Sequence, residues 1–145
     1  IIKNNEIDLD RYKLFIKYAN NRHSEGQMKN MSFEEFKSFI YKSPVETRIL
    51  DFFDMKNKLI GTILLDVLSD GLSAVYSFYD PNLNKNSLGK LMILKAIMEV
   101  KKLKLDYLYL GFWIKESQKM NYKLNFNNIE LFKNGSWEKK ELVIV

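Results

Sequence analysis

The chain begins with a stretch in which apolar residues recur at the spacing of an α-helix. Tyr12, Phe15 and Ala19 lie three or four positions apart, behind Asp8 or Asp10, either of which can cap the start of a helix. A polar loop follows from about residue 20. This stretch therefore predicts an amphipathic first helix.

The next apolar stretch carries signals for both ends of a helix. Ser32 is followed three residues later by Glu35, which is the sequence signature of a capping box, and Phe36 and Ile40 form an apolar stripe. Pro44 marks a position where the helix has already ended. A short second helix is predicted between Ser32 and Pro44.

Three predicted β-strands come next, separated by short polar turns. They are apolar segments of strand length, and the turns contain asparagine, aspartate or glycine. We expect the strands at residues 48–55, 59–68 and 72–80, with turns at 56–58 and at Asp70-Gly71.

The third predicted strand carries polar residues that are candidates for chemistry. In a regular strand alternate side chains share a face, so Ala74, Tyr76 and Phe78 are expected on one side and Ser73 on the other. Ser73 and Tyr76 can then line one pocket only if a β-bulge intervenes.

The second half of the chain predicts a long helix, a buried strand, a further helix and a hairpin. The long helix is expected at residues 87–105, and the strand at 107–112 is apolar enough to be buried on both faces. The closing hairpin is expected to turn at Asn134-Gly135. A strand, a crossover helix and a second strand require a parallel pairing inside an otherwise antiparallel sheet.

This order of elements predicts an α+β fold with a mixed, mostly antiparallel sheet and helices on both faces. It resembles the layout of GNAT-type N-acyltransferases. In that layout two strands separate where the long helix begins, and the phosphates of an acyl carrier rest on the N-terminus of that helix.

Composition narrows the possibilities further. The 145 residues are 46% hydrophobic, which predicts one globular domain over residues 1–145. With no cysteine and only His23 as histidine, we expect no disulfide, no metal site and no Ser-His-Asp triad. No apolar run is long enough for a membrane span, and the first residues do not read as a secretory signal, so a cytoplasmic protein is expected.

The net charge of +5 is unevenly distributed. Residues 1–80 carry 11 basic and 12 acidic side chains, whereas residues 81–145 carry 12 lysines and 6 acidic side chains. Such asymmetry favours a polyanionic partner, although lysine-rich surfaces also serve solubility.

Two segments could bind phosphates. At residues 80–90 a strand ends and a helix begins, so free backbone N–H groups and the helix dipole can meet an anion. The residues concerned are Lys85, Ser87, Gly89 and Lys90. The alternative is that Ser87 only caps the helix and Gly89 only permits helix packing.

The second segment is a lysine series at four-residue spacing. On an α-helix Lys115, Lys119 and Lys123 would drift by only about 40° per step and stay on one side, with Tyr122 placed to stack on a base. The alternative is an ordinary solvated helix face. For the phosphate-binding interpretation we expect these lysines to lie near residues 76–89.

Other candidates are polar residues on a loop and on the strands. The loop after the first helix offers binding groups, and the strands offer carboxylates and hydroxyls. The loop residues are Arg22, His23 and Glu25, and the strand residues are Arg48, Asp66, Ser73, Tyr76 and Asp80.

Four motifs together resemble the C-terminal domain of aminoacyl-tRNA–protein transferases. They are RHSEGQM at 22–28, DGLSAVYSFYDP at 70–81, SLGKLMI at 87–93 and YLYLGFWIKESQKMNYK at 107–123. The similarity covers roughly residues 11–137 and is closer to the bacterial aspartate/glutamate leucyltransferases than to the arginyltransferases. This chain has Ser117 where the family has a cysteine. The family's N-terminal cysteine-cluster domain is expected to be absent from these residues.

The resemblance implies transfer of an amino acid, leucine rather than arginine, from its tRNA to an N-terminal Asp or Glu as a degradation signal. Aminoacyl-tRNA is then a co-substrate, and no cofactor is expected. Tyr76 or Asp80 would take the amine proton, and Arg22 or Arg48 would bind the acceptor's acidic side chain. The leucyl group would contact Tyr109, Phe112 and Trp113. An acetyl-CoA-dependent N-acetyltransferase and a non-catalytic tRNA-binding module remain as alternatives.

Overall fold

The computed structural model of the chain describes residues 4–22 and 27–140, without the side chains at 4–6, 22, 27, 84–86 and 119. The chain divides into two compact units, Ile1–Gly111 and Phe112–Val145. They are called the first and second unit below, and each is described by itself. That the whole chain is a single domain stays a prediction.

The described residues of the first unit form three α-helices and a four-stranded sheet. The α-helices are α1 (Asn4–Arg22), α2 (Phe33–Tyr41) and α3 (Leu88–Lys102). The strands are β1 (Thr47–Phe53), β2 (Leu59–Val67), β3 (Gly71–Tyr79) and β4 (Tyr107–Tyr109). Two 3-10 helices, Gln27–Asn30 and Pro81–Asn86, precede α2 and α3.

The sheet is mixed, as the sequence predicts. The strand order is β1-β2-β3-β4, in which β1, β2 and β3 pair antiparallel and β4 pairs parallel to β3. α3 makes the crossover between the two parallel strands. The α+β architecture with a mostly antiparallel sheet is therefore confirmed.

The helices cover both faces of this sheet. On one face Phe15 of α1 and Phe36 of α2 pack against Phe78, with ring centroids 5.6 and 6.1 Å from it. On the other face Met92 of α3 lies over β2, where its sulfur would be 3.5 Å from a Cβ at Gly61. The prediction of helices on both faces is confirmed.

The second helix forms for the reason given by its sequence. Ser32 accepts a hydrogen bond from the backbone N–H of Glu35, and the Glu35 carboxylate accepts one from the backbone N–H of Ser32. Phe36 and Ile40 are buried on its inner side. The capping box is therefore confirmed.

The first helix starts earlier than predicted, because Asp8 does not cap it. Asp8 is buried inside α1, where its carboxylate accepts hydrogen bonds from Arg11 at 2.9 Å and from the Tyr41 hydroxyl. Two guanidinium nitrogens of Arg11 also donate hydrogen bonds to the Asp51 carboxylate of β1. The Thr62 hydroxyl of β2 donates to the same carboxylate at 2.9 Å. Burial and the bond to Asp8 raise the pKa of Tyr41 to about 12. This polar network ties α1 and α2 to the sheet.

The predicted alternation along β3 is wrong at its centre. Leu64 of β2 pairs with Tyr76 while Leu65 pairs with Ala74, so Val75 is the extra residue of a β-bulge. Because paired residues project from the same face, the bulge moves Ser73 to the face of Tyr76 and moves Ala74 away from it.

β4 and α3 are shorter than predicted. The expected strand at 107–112, buried on both faces, is a strand of three residues in which Tyr107 is 49% exposed. The long helix ends at Lys102 and not at 105, because Lys104 adopts a positive φ of 58°. The apolar run after Tyr109 therefore leaves the sheet.

The second unit contains a 3-10 helix and a two-stranded hairpin. The 3-10 helix is Gln118–Asn125, and the strands are β5 (Glu130–Lys133) and β6 (Ser136–Lys139). The turn at Asn134-Gly135 is confirmed, with φ of 50° and 86°. None of the helices within residues 4–22 and 27–140 is long and apolar enough to cross a membrane.

The predicted α-helical lysine face is wrong. Lys115 lies in a turn before the helix, and residues four apart on a 3-10 helix are rotated by about 120°. The Lys123 ammonium donates a hydrogen bond to the Phe112 carbonyl at 2.9 Å, and burial lowers its pKa. The three lysines therefore do not form one cationic row on an α-helix.

Candidate functional site

The central feature of the candidate site is a strand edge that is only partly paired. β4 pairs with β3 only from Gly71 to Ser73, although β3 continues to Tyr79. No strand within the described residues pairs with this edge of β3 from Ala74 to Tyr79. The backbone groups of that edge can therefore bind an extended substrate, as an added strand would.

Gly71 is required where the two parallel strands do meet. A Cβ at this position would lie 2.5 Å from the Tyr107 carbonyl oxygen and 3.0 Å from the Tyr109 ring. β4 can therefore approach β3 closely only beside a glycine. The short contact at Gly71 and the departure of the chain after Tyr109 together open the β3 edge.

The β-bulge brings three predicted site residues to one face of the sheet. Ser73 shares that face with Tyr76, and Tyr109 is aligned with Ser73 in the parallel pair. The Tyr109 hydroxyl donates to the Asp70 carboxylate at 2.8 Å, and this bond raises the pKa of Tyr109. Tyr76 packs edge-on against Phe39, with ring centroids 5.6 Å apart.

Asp80, at the end of β3, is engaged in ion pairs. It is buried, accepts hydrogen bonds from Lys17 at 2.6 Å and from the Asn82 backbone N–H at 3.0 Å, and lies 3.6 Å from Lys58. Burial raises its pKa, but the bonds from Lys17 and Asn82 outweigh burial, so the net pKa of Asp80 is lowered. Such a carboxylate is a weak base and a strong anchor for the loop that follows.

The two lysines that pair with Asp80 are not predicted by the sequence. Lys17 lies on α1 and Lys58 precedes β2, so no local spacing links either residue to position 80.

The N-terminus of α3 follows this loop. Ser87 has a left-handed φ of 52° and makes no side-chain capping bond, and the first turn of α3 contains no acidic residue. Lys90 is exposed there. These features are favourable for binding an anion at the start of α3. A Cβ at Gly89 would come 3.7 Å from the Tyr79 ring, which is ordinary contact, so packing alone does not require glycine.

Arg48, one of the two arginines predicted to bind the acceptor, is not brought to the face of Tyr76. Arg48 pairs with Leu65, which places it on the α3 face, and its nearest acidic partner is Glu46 at 3.6 Å. The backbone of Arg22 ends α1, but its side chain is not described. His23 and Glu25 lie outside the described residues. Lys85 likewise has no described side chain.

The remaining predicted residues belong to the second unit. Phe112 is 90% exposed, whereas Trp113 and Tyr122 are half-buried. Lys115 is exposed, and Lys123 is held by the Phe112 carbonyl. Within the described ranges no three His, Cys, Asp or Glu side chains gather to hold a metal ion.

Solved structures of similar fold define the class. An acetyltransferase of the GNAT family from Staphylococcus aureus Mu50 aligns with a TM-score of 0.63 at 20% identity, covering 93% of this chain and 85% of that one. The PaiA N-acetyltransferase from Thermoplasma acidophilum, in complex with coenzyme A, aligns with a TM-score of 0.60 at 16% identity, covering 91% and 90%. The protein therefore has the GNAT fold.

Sequence comparison defines the family within that class. The family model of the arginine-tRNA-protein transferase C terminus matches residues 10–133, and the chain belongs to this family. It is 42% identical over 130 residues to the aspartate/glutamate leucyltransferase of Paramagnetospirillum magneticum, covering 90% of this chain and 53% of that protein. The leucyltransferase of Nitrosococcus oceani is 43% identical over 132 residues, covering 91% and 56%. The chain spans about half the length of the curated relatives that it matches.

Proposed function

We propose that this protein transfers an amino acid, leucine in preference to arginine, from aminoacyl-tRNA to a protein that begins with Asp or Glu. The observation that carries the proposal is the alignment of about nine-tenths of the chain with relatives named aspartate/glutamate leucyltransferase. The tag would mark the acceptor for degradation in the cytoplasm, where charged tRNA is available.

The open edge of β3 supports an acyl-transfer site. The amine nitrogen attacks the ester carbonyl carbon, a C–N bond forms, the C–O bond to the ribose breaks, and the released proton is taken up by the ribose oxygen or by solvent. Backbone N–H groups beside the bulge at Val75 can stabilise the oxyanion that develops on the carbonyl. Holding the two reactants in contact supplies much of the remaining acceleration.

The chemistry needs little from a general base. A peptide α-amine has a pKa of about 7.7–8.0, so part of it is already neutral at physiological pH. Tyr76, beside the bulge, is the residue that we assign to relay its proton through water. Asp80, with its lowered pKa, is better suited to hold Lys17 and the loop before α3.

The tRNA would meet cationic and backbone N–H groups. We assign the phosphates nearest the ester to the start of α3, where Ser87, Gly89 and Lys90 lie, together with Lys85. Lys115, Lys119 and Tyr122 of the second unit remain candidate tRNA contacts. Lys123 is the weaker candidate, because it already donates to a backbone carbonyl. Contacts of Tyr109, Phe112 and Trp113 with the leucyl side chain remain predictions.

Mass spectrometry of acceptor peptides tests this proposal. The chain is incubated with Leu-tRNA or Arg-tRNA and with peptides that differ only in beginning with Asp, Glu or Ala. The same reactions are run on a chimera in which the chain replaces the matching half of the Paramagnetospirillum relative. We expect one leucine on the Asp and Glu peptides, less arginine, and no addition to the Ala peptide.

The same assay separates the alternatives. Acetylation from acetyl-CoA in place of leucylation would indicate an N-acetyltransferase. Salt-dependent binding of tRNA that ignores whether its 3′ end is charged, without transfer, would indicate an RNA-binding module. If neither the chain nor the chimera adds leucine to any acidic peptide, the proposed function is wrong.

A further inference from the structure

A small open cavity lies on the Tyr76 face of the first unit. Its volume is about 150 Å³, comparable to one amino-acid residue, and it is bounded by the end of α2, the segment after it and the first three strands. Phe39, Leu64 and Val75 supply apolar walls, and Lys42, Thr47 and Asp66 supply polar groups.

Asp66 provides the negative charge of the cavity. Its Oδ1 accepts the Thr47 hydroxyl at 2.5 Å, and its side chain is partly buried. Among the side chains that the structure describes, no cation pairs with this carboxylate. Asp66 is the cross-strand partner of Ser73, the last β3 residue that pairs with β4, so it lies one strand inward from the point where the open β3 edge begins.

Lys42 provides the positive charge. It follows the last turn of α2, where it is exposed and its backbone N–H bonds to the Ser38 carbonyl. Neither Asp66 nor any other described carboxylate forms an ion pair with its ammonium group. The cavity therefore holds a cation and an anion that line the same space without neutralising each other.

This pattern is complementary to a particular ligand. An N-terminal Asp or Glu carries an α-ammonium and a side-chain carboxylate on a single residue, separated by a short apolar stem. The apolar walls suit the stem, and opposite charges at both ends give a stronger and more selective attraction than either alone. Val75, the bulge residue, lines the cavity and is half exposed. It also belongs to the open edge of β3.

We propose that this cavity binds the N-terminal residue of the acceptor protein, with Asp66 holding the α-ammonium and Lys42 holding the acidic side chain. The inference rests on the proposed function and extends it by naming the acceptor site. It assigns to Lys42 the role that the sequence suggested for Arg22 or Arg48, of which Arg48 lies on the other face of the sheet. The α-ammonium would then give one proton to solvent through the water relay assigned to Tyr76, and the neutral amine would turn toward the ester at the β3 edge.

The decisive experiment measures peptide binding without tRNA. Peptides labelled at the C-terminus with fluorescein begin with Asp, Glu, Ala or N-acetyl-Asp, and anisotropy gives the affinity of each. The variants are Asp66→Asn, which keeps an acceptor for Thr47, and Lys42→Met. Asp10→Asn and Lys13→Met, at exposed positions on α1, are the matched controls.

Each site variant should weaken the Asp peptide about tenfold, the usual size of one charge-assisted bond. The controls should leave the affinity unchanged, and N-acetylation should mimic Asp66→Asn. Lys42→Met should reduce the preference for Asp over Ala, which a purely structural role would not alter. Lys42→Glu should reverse it in favour of a peptide that begins with Lys.

The outcomes separate this inference from the proposed function. If the wild-type chain leucylates or binds the Asp peptide and the site variants leave its KM and affinity unchanged, the cavity is not the acceptor site, although the function stands. If neither the wild-type chain nor the chimera binds or modifies acidic peptides, the proposed function itself fails and the acceptor site falls with it.

Discussion

The first unit packs the rings of Phe15, Phe36 and Phe78 completely out of solvent, whereas none of the described side chains from 112 to 140 is fully buried. The first unit is therefore stabilised by an apolar core. The residues that form this core recur at regular spacing in the sequences of its helices and strands. The second unit relies on short elements and on hydrogen bonds such as the one from Lys123 to Phe112. A two-stranded hairpin of this kind is marginally stable by itself.

The two units can be observed separately in solution. All three α-helices of the described chain lie in the first unit, and both tryptophans, Trp113 and Trp137, lie in the second. Far-UV circular dichroism therefore reports mainly on the first unit, and tryptophan fluorescence reports on the second. If the unfolding transitions measured by the two probes coincide, the two units do not differ in stability as we expect.

The largest expected effect comes from the core of the first unit. Phe78→Ala removes a ring with no solvent exposure and should lower the free energy of unfolding by about 3–5 kcal/mol, measured by circular dichroism in urea. The matched change Phe132→Ala, at a ring that is 60% exposed in the second unit, should cost less than about 1 kcal/mol, measured by tryptophan fluorescence in urea. Equal losses for both variants would show that the second unit has a core as well.

A smaller effect is expected from the polar network around Arg11. Arg11→Met leaves the carboxylates of Asp8 and Asp51 buried without a cation, which should cost about 3 kcal/mol. The control is Lys37→Met, because Lys37 is 3.6 Å from a Glu34 carboxylate that is 80% exposed, and such a pair contributes less than about 1 kcal/mol. Both values come from urea unfolding followed by circular dichroism.

Restored stability on adding Asp8→Asn and Asp51→Asn to Arg11→Met would support the assignment of the cost to unpaired charge. If the triple variant is no more stable than Arg11→Met, the loss has another cause, such as missing packing of the arginine stem.

The smallest expected effect is a change in pH dependence. The pKa of Asp80 is lowered in the folded state, so its contribution to stability is present at neutral pH and is lost as pH falls from about 4 through the folded pKa. Asp80→Asn should therefore cost about 1–3 kcal/mol at neutral pH and little in acid. Urea unfolding at a series of pH values, followed by circular dichroism, measures the difference.

The tryptophan signal provides the contrast for this prediction, because Asp80 and its partners Lys17 and Lys58 all lie in the first unit. Asp80→Asn should leave the pH dependence of the fluorescence transition unchanged. If Asp80→Asn loses as much stability in acid as the wild-type protein does, the Asp80 ion pairs do not contribute to folding.

Local sequence signals correctly predicted the caps and turns that depend on residues close together in the chain. The capping box of Ser32 and Glu35 starts α2, and the Asn134-Gly135 pair turns the final hairpin through two positive φ angles. The start of α3 at Ser87 was predicted within one residue. These signals succeed because a cap or a turn needs only residues within about one helical turn of each other.

The α-helix predicted from the lysine spacing is wrong, because a four-residue repeat of lysines does not specify an α-helix unless an apolar stripe accompanies it. Lys115, Lys119 and Lys123 repeat every fourth residue, but no buried stripe in that segment enforces an α-helix, and the backbone forms a 3-10 helix. The strand expected at 107–112 failed for a related reason. An apolar run shows that residues avoid water, not that a neighbouring strand extends far enough to pair with them.

By itself the sequence determined the order of helices and strands, the crossover that makes one strand pair parallel, and the family, because these depend on periodicity, caps and contiguous motifs. The tertiary structure decided the bulge at Val75, the ion pairs of Asp80 and the cavity between Lys42 and Asp66. Each of these depends on residues distant in sequence that meet across strands. A period-two pattern continues through a bulge unchanged, so only the register with β2 shows which face a side chain takes.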